Sequence, residues 1–209
     1  MSLITQGNNH VFITGITRSG KTYFAHRAAM GINRPVLYFN IQGESVPARF
    51  FSVSSGDVEM QQILDLLKSG SKVNLLFGDW KSGYKATAGY VISELMSAGF
   101  SEKNPVYLIL DECHLLDGYS LDMAKYAATA GLKKGVRLIF VTQRPALADK
   151  TLYTQAFEHY LFFLSASEKA YMKAKGIDFE RCQAEWARLG KYSYVFYDGY
   201  DFQGRRAIG

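Results

Sequence analysis

An α/β fold with a mostly parallel sheet flanked by helices is the architecture that this 209-residue sequence predicts. Three observations predict it. Short apolar runs rich in β-branched and aromatic residues alternate with stretches of helical period. One such run, Val11-Phe12-Ile13-Thr14, leads directly into Gly15-Ile16-Thr17-Arg18-Ser19-Gly20-Lys21-Thr22, which fits G-x-x-x-x-G-K-[ST]. Two further runs, ending at Leu110 and Val141, stop abruptly at polar residues, as buried strands do where they emerge into a polar site.

Taken in order, the strands are expected at 10–14, 35–40, 73–77, 105–110, 136–142 and 159–164. A helix over 20–30 follows the glycine-rich loop and stops before Gly31 and Pro35. A second, over 57–68, places Met60, Ile63, Leu64 and Leu67 on one face and ends at Gly70; these four are core positions. Helical patterns also run over 86–98, 120–131 and 146–157. Beyond the last strand, Glu168 to Lys175 and Phe179 to Leu189 read as short helices. The alternating tail from Tyr192 to Arg206, with Asp198-Gly199 at its centre, reads as a hairpin. The expected organisation is one domain over 1–209, with a core at about 8–165 and a small helix and β-hairpin appendage at about 166–209.

The hydrophobic fraction of 48% and charged fraction of 21% are those of a water-soluble globular protein, and no apolar run approaches the ~20 residues of a membrane span. The segment Met1 to His10 has neither the basic region nor the apolar core of a secretory signal. Cys113 and Cys182 have no metal-binding spacing and form no disulfide framework, which suits a reducing compartment and makes Cys113 a small packing residue. A net charge of +5 is compatible with a polyanionic partner without requiring one.

The octapeptide is a nucleoside-triphosphate loop. Its glycines let successive backbone N–H groups turn inward around phosphate, and the helix that follows adds its positive end. Lys21 reaches the β and γ phosphates, Thr22 offers a hydroxyl to Mg²⁺, and Tyr23 completes the binding segment. Asp111 and Glu112 end the strand Val106-Tyr107-Leu108-Ile109-Leu110. Asp111 is the expected Mg²⁺ holder and Glu112 the base that takes a proton from attacking water. The run Leu138-Ile139-Phe140-Val141-Thr142 ends in Gln143-Arg144-Pro145. If that strand lies between the other two, Gln143 projects at the γ-phosphate, where an amide can accept from water and donate to phosphate. Arg144 is a further candidate, with pairing to a surface acid as the plain alternative.

Gly15 to Thr22, Leu110-Asp111-Glu112-Cys113-His114 and Thr142-Gln143-Arg144-Pro145 together resemble the FtsK/HerA superfamily of DNA-pumping ATPases, the T-Q-R-P element being the discriminating part. Small size and the absence of further domains are similar to the genome-packaging branch found in tailless icosahedral viruses with an internal membrane. The resemblance covers about residues 8–165 and implies a RecA-like core in strand order 5-1-4-3-2. It implies ATP and Mg²⁺ as cofactors and a homo-hexameric ring with sites at subunit junctions. It also implies movement of double-stranded DNA, a capsid or viral membrane protein as partner, and work in the host cytoplasm and at the virion vertex.

Two departures stand out. Asn40 takes the place of an acid common in relatives, which leaves Glu44 as a candidate, and Leu132 occupies the place of an arginine that reaches the neighbour's nucleotide. Lys133, Lys134, Arg137 or Arg144 are the remaining sources of that charge, although a lysine lacks the forked guanidinium. For DNA, the segment Asp79-Trp80-Lys81-Ser82-Gly83-Tyr84-Lys85 offers Lys81 and Lys85 as phosphate contacts, as do Lys133 and Lys134. The alternative is a solvated loop with Trp80 packed on the core. Two other readings of the site remain: a kinase that passes the γ-phosphate to a small acceptor, and a nucleotide-gated assembly switch with little turnover.

Overall fold

The computed structural model describes residues 4, 9–43, 45–54, 59–77, 83–174 and 176–207. The first half of the chain contains β1 (His10–Thr14), α1 (Lys21–Gly31), β2 (Val36–Asn40), β3 (Phe50–Ser54), α2 (Met60–Lys68), β4 (Lys72–Leu76) and α3 (Gly83–Ser97). There follow β5 (Val106–Leu110), α4 (Gly118–Ala130), β6 (Val136–Thr142), α5 (Lys150–Thr154), β7 (Ala156–Phe162), α6 (Lys169–Ala174), α7 (Phe179–Leu189), β8 (Ser193–Tyr197) and β9 (Phe202–Arg206). All nine strands share one sheet in the order β3-β4-β2-β5-β6-β1-β7-β8-β9. Neighbours are parallel from β3 through β7, and β8 and β9 add on antiparallel.

Strands β1, β2, β5 and β6 are buried at every residue. They read as mostly apolar runs because helices cover both faces of a parallel sheet. The alternation of side chains sorts them between two cores. Phe12, Leu37, Phe39, Leu108, Leu110 and Phe140 face α2, α3 and α4. Val11, Ile13, Tyr38, Ile109, Ile139 and Val141 face α1. A third cluster packs α6 and α7 on Leu161 of β7 and Val195 of β8.

The aromatic part of the α1 face holds the loop helix in place. Phe24 of α1 lies 5.0 Å from the Tyr160 ring, 5.5 Å from Phe162 and 4.9 Å from Tyr194. Such pairs are each worth about 0.5–1.5 kcal/mol beyond area burial. Residues after 166 thus brace the helix that carries the loop, and their two strands extend the same sheet.

The expected order 5-1-4-3-2 is present as β7-β1-β6-β5-β2, with β4 and β3 placed beyond β2. Three elements differ from expectation. β3 was not anticipated; it is an edge strand whose Phe51 is exposed, so it lacks the inward apolar pattern of the others. The helix expected over 146–157 is only α5, because β7 begins at Ala156 rather than 159. Polar residues disguised that strand start. Glu158 is buried and accepts a hydrogen bond from the Tyr160 hydroxyl at 2.9 Å, and His159 is buried with it.

Candidate functional site

The loop after β1 is anchored by its neighbours. The Gly15 N–H donates to the Thr142 carbonyl at the end of β6 (3.3 Å), and the Ile16 N–H donates to the Phe163 carbonyl just beyond β7 (2.9 Å). A Cβ on Gly15 would sit 2.5 Å from Phe162 Cβ and 2.6 Å from Ser19 Oγ, so only glycine fits this approach. The chain then turns through positive φ at Arg18 (62°) and Gly20 (98°). Gly20 caps α1 without any side-chain hydrogen bond, which leaves the first N–H groups of the helix for an anion. Lys21 is buried at 6% exposure, and Ser19 Oγ is buried with no hydrogen-bond partner among the described residues. A buried cation and such a hydroxyl at a helix N-terminus make this a candidate anion site.

Strand β5 delivers the acids. Asp111 is 2% exposed; its carboxylate accepts from the Tyr38 hydroxyl (2.9 Å) and from the Glu112 N–H (3.0 Å). Burial, together with the charge of Glu112, pushes its pKa up to about 6, against the opposing pull of Tyr38 and Lys21. Glu112 takes the left-handed backbone at φ 47°, which turns the chain into a single 3₁₀ turn, Cys113–Leu115. Burial raises its pKa too, yet hydrogen bonding from His114, the charge of Lys21 and the Gln143 N–H outweigh it, so the net shift is downward. Two adjacent carboxylates are thereby separated: Glu112 stays ionised, in the form a general base requires, while for Asp111 burial and the Glu112 charge outweigh the pull of Lys21.

Three neighbours orient Glu112. Gln42 Nε2 donates to Oε1 at 2.9 Å, the Gln143 N–H points at Oε2 from 3.4 Å, and His114 Nδ1 lies 3.3 Å from Oε2. Thr142 Oγ1 is 2.9 Å from the same His114 nitrogen and accepts from the Arg144 N–H at 3.0 Å. Strand β6 does lie between β1 and β5, the placement on which the role of Gln143 depended. Its Oε1 accepts from Thr17 Oγ1, so Gln143 joins the phosphate loop to the carboxylate. A recess of about 560 Å³ opens here, lined by Ile41, Gln42, Glu112, His114, Gln143 and Arg144. Arg144 is exposed and makes no ion pair among the described residues.

The other expected site residues divide. Thr22 is half-buried in the first turn of α1, whereas the Tyr23 ring is exposed and its hydroxyl accepts from Arg27 at 3.2 Å. Lys133 and Lys134 are exposed on the turn between α4 and β6. Arg137 is corrected as a source of trans-acting charge: it is 1% exposed, at the start of β6, and its guanidinium donates to the Leu132 carbonyl at 2.8 Å. Lys85 falls within α3, while Glu44 and Lys81 lie outside the described residues. Cys113 is buried and its thiol pKa is raised by burial and the flanking carboxylates, as suits a packing residue. Gln42, His114 and Tyr38 were not singled out from sequence. Gln42 had one usable signal, its place just past the end of a strand that the expected order sets beside β5.

The donor set fits a hard divalent cation. Asp111 is a buried carboxylate with raised pKa, and Thr22 offers a hydroxyl from the loop helix. No cluster of three His, Cys, Asp or Glu occurs among the described residues, so no all-protein cage is present. A carboxylate and a hydroxyl would suit Mg²⁺, which takes few protein ligands and keeps water and substrate phosphates among its own. No helix among the described residues is long and apolar enough to cross a membrane.

No family model matches the sequence, and no curated protein matches it either. Solved structures do. B204, the DNA-packaging ATPase of Sulfolobus turreted icosahedral virus, is 16% identical and superposes with a TM-score of 0.68, covering 98% of this chain and 100% of its own. The genome-packaging NTPase B204 of Sulfolobus turreted icosahedral virus 2, in complex with AMPPCP, is 15% identical at a TM-score of 0.65, covering 97% and 100%. The bacterial conjugative coupling protein TrwB is 10% identical at 0.60, covering 97% of this chain and 79% of its own. At these identities the likeness is one of fold, and the chain has the mostly parallel, helix-flanked sheet of the P-loop NTPases.

Proposed function

We propose that this protein is an Mg²⁺-dependent ATPase of the FtsK/HerA superfamily that drives double-stranded DNA, as a viral genome-packaging motor. The observation that carries this reading is the orientation of Glu112, ionised and held by Gln42, His114 and Gln143, in contact through Gln143 with the loop residue Thr17. In this reading the loop N–H groups and Lys21 bind the β and γ phosphates, and Asp111 and Thr22 hold the cation. Bound Mg²⁺ supplies neutralisation of the phosphate oxygens. Glu112 takes the proton of the attacking water. Gln143, whose Oε1 accepts from Thr17, donates from Nε2 to the γ-phosphate, and so reports whether the triphosphate is intact. Arg144 supplies positive charge at the mouth of the recess.

The fold shared with DNA-packaging ATPases and a conjugative coupling protein supports DNA as the driven polymer. The further elements of the proposal are a ring of six with sites at subunit junctions and DNA phosphates contacted by Lys81, Lys85, Lys133 and Lys134. A capsid or viral membrane protein is the proposed partner, and the host cytoplasm and virion vertex the place of work. The test is steady-state ATP hydrolysis with and without long double-stranded DNA. Stimulation by DNA that disappears in Lys21→Ala is expected. Hydrolysis indifferent to DNA would overturn the translocase reading and turn attention to transfer onto a small acceptor.

A further inference from the structure

A cavity of about 480 Å³ opens at the end of the sheet opposite to the phosphate loop. Strands β3, β4, β2, β5, β6 and β1 run parallel in that order, so the turns leading into them share one edge, while the loop after β1 lies at the other. A strand of this length spans roughly 16 Å, which keeps the two places apart. The walls come from Ile32, Asn33 and Arg34 after α1, Arg49 ahead of β3, Lys72 at the start of β4 and Asn104 ahead of β5. Its size is within the range of small-molecule pockets, roughly 300–1,000 Å³.

The charge of this cavity has one sign. Arg34, Arg49 and Lys72 line it, and among the described residues no Asp or Glu does. Both arginines are exposed and make no ion pair among the described residues. Lys72 is half-buried; its Nζ donates to the Ile32 carbonyl at 2.5 Å and lies 3.4 Å from the Arg34 carbonyl, so an ammonium proton remains for a further acceptor. Burial, and then the charge of Arg49, hold its pKa below the usual lysine range. Asn33 and Asn104 bring amide donors to the same walls. Around the edge stand Lys68 at the end of α2, Lys103 ahead of β5, and Lys133 and Lys134 ahead of β6, with Glu102 as the acid nearest to them in sequence. The rest of the chain is close to neutral, so the net charge of +5 is concentrated here. Like charges gathered without a counter-charge repel one another, and an anion that joins them turns that repulsion into attraction. Two guanidinium forks and an ammonium match a multiply charged, oxygen-rich group better than a single carboxylate, which carries only one charge.

We propose that this cavity is a second phosphate-binding site, held by Arg34, Arg49 and Lys72 and independent of the nucleotide loop. Its ligand is a phosphate group, carried either by a small diffusible anion or by the backbone of DNA lying along the basic edge. The experiment compares Lys21→Ala, which lacks the cation of the loop, with the same protein carrying Arg34→Gln and Arg49→Gln. The step from wild type to Lys21→Ala reads the loop by itself. Each protein is titrated calorimetrically with inorganic pyrophosphate, and with a short DNA duplex at several salt concentrations. Lys21→Ala is expected to retain pyrophosphate binding, and the two glutamines to weaken it by about tenfold or more, the effect of losing even one charged hydrogen bond. That result assigns the site to a small phosphate. Pyrophosphate affinity equal in both proteins, with a duplex salt slope lower by about two in the glutamine variant, assigns it to the DNA backbone. Lysine in place of both arginines keeps the charge and should restore most of the binding, which separates loss of charge from loss of fold. Equal pyrophosphate affinity together with an equal salt slope, or lysine variants as weak as the glutamine ones, would overturn the site.

Discussion

Glu112→Gln separates the proton-accepting role of this side chain from its place in the fold. In the wild type Oε1 accepts from Gln42 Nε2 at 2.9 Å, and Oε2 faces two donors, the Gln143 N–H at 3.4 Å and His114 Nδ1 at 3.3 Å. Glutamine has the same shape but presents an oxygen to one side only. Its NH₂ must face either Gln42 or the Gln143 and His114 pair, so about one hydrogen bond is lost, worth roughly 0.5–1.5 kcal/mol. In a chain of this length that corresponds to a melting shift of only about 2–5 °C. The loss of the proton acceptor is larger. General-base catalysis contributes about 10² to 10⁴ in rate, or about 3–5 kcal/mol of barrier. Lys21 and the loop are unaltered, and one negative charge near the γ-phosphate is removed, so ATP binding persists or tightens. Single-turnover hydrolysis with nucleotide in slight deficit, alongside equilibrium ATP binding, measures both quantities. A rate within about fivefold of wild type at equal occupancy would refute Glu112 as the base.

Asp111→Asn should raise the melting temperature of the nucleotide-free protein at pH 7.5. The carboxyl pKa is up from 3.8 to about 6 in the folded state, so the native protein binds the proton more tightly than the unfolded chain. The resulting penalty, about 3 kcal/mol at most, is full above pH 6, shrinks as pH falls through that value and vanishes below 3.8, where both variants should melt together. Equal melting of the two proteins at pH 7.5 would contradict the strained carboxylate. Arg137→Ala should lower stability by about 2–3 kcal/mol, through a vacated interior and a lost bond to the Leu132 carbonyl. ATP turnover measured well below the melt should be unchanged; full stability combined with lost turnover would restore Arg137 as a trans-acting residue.

The parts of the fold that were readable from sequence are those where one local rule decides. β1, β2, β5 and β6 are buried at every position, so they appear as apolar runs with few polar interruptions, such as Arg137. α7 spans Phe179–Leu189 as expected; Asp178 caps it, accepting from the Arg181 N–H at 2.9 Å, and Gly190 ends it at φ 81°. Where tertiary contacts decide, sequence was silent. Ala156 and Phe157 read as a helix end beside the polar Glu158, whose buried carboxylate the fold satisfies with the Tyr160 hydroxyl. His114 and Gln42 touch the reaction only through Glu112, and no motif spells such indirect positioning. Tyr192 reaches Gly20 across 172 positions of chain, a contact that local periodicity cannot encode.

The separation of Asp111 from Glu112 gives the site its logic. Both acids are buried side by side; burial raises the pKa of each, and the Glu112 charge raises that of Asp111 further. The fold resolves the conflict by assigning donors unequally: Glu112 receives Gln42, His114 and the Gln143 N–H, while Asp111 receives the Tyr38 hydroxyl and one backbone N–H. In the proposed motor one carboxylate is thus prepared for proton abstraction, and the other, buried and with a raised pKa, would have its charge further offset when cation and nucleotide enter together. Gln143 Oε1 accepts from Thr17, and its Nε2 would donate to the γ-phosphate, so one amide can hold both partners at once. A single hydrogen bond, worth about 1 kcal/mol, is small enough to form and break in every cycle. The amide spans the loop and the strand beside Glu112, so the bond gained from Nε2 connects phosphate binding with the backbone that orients the base.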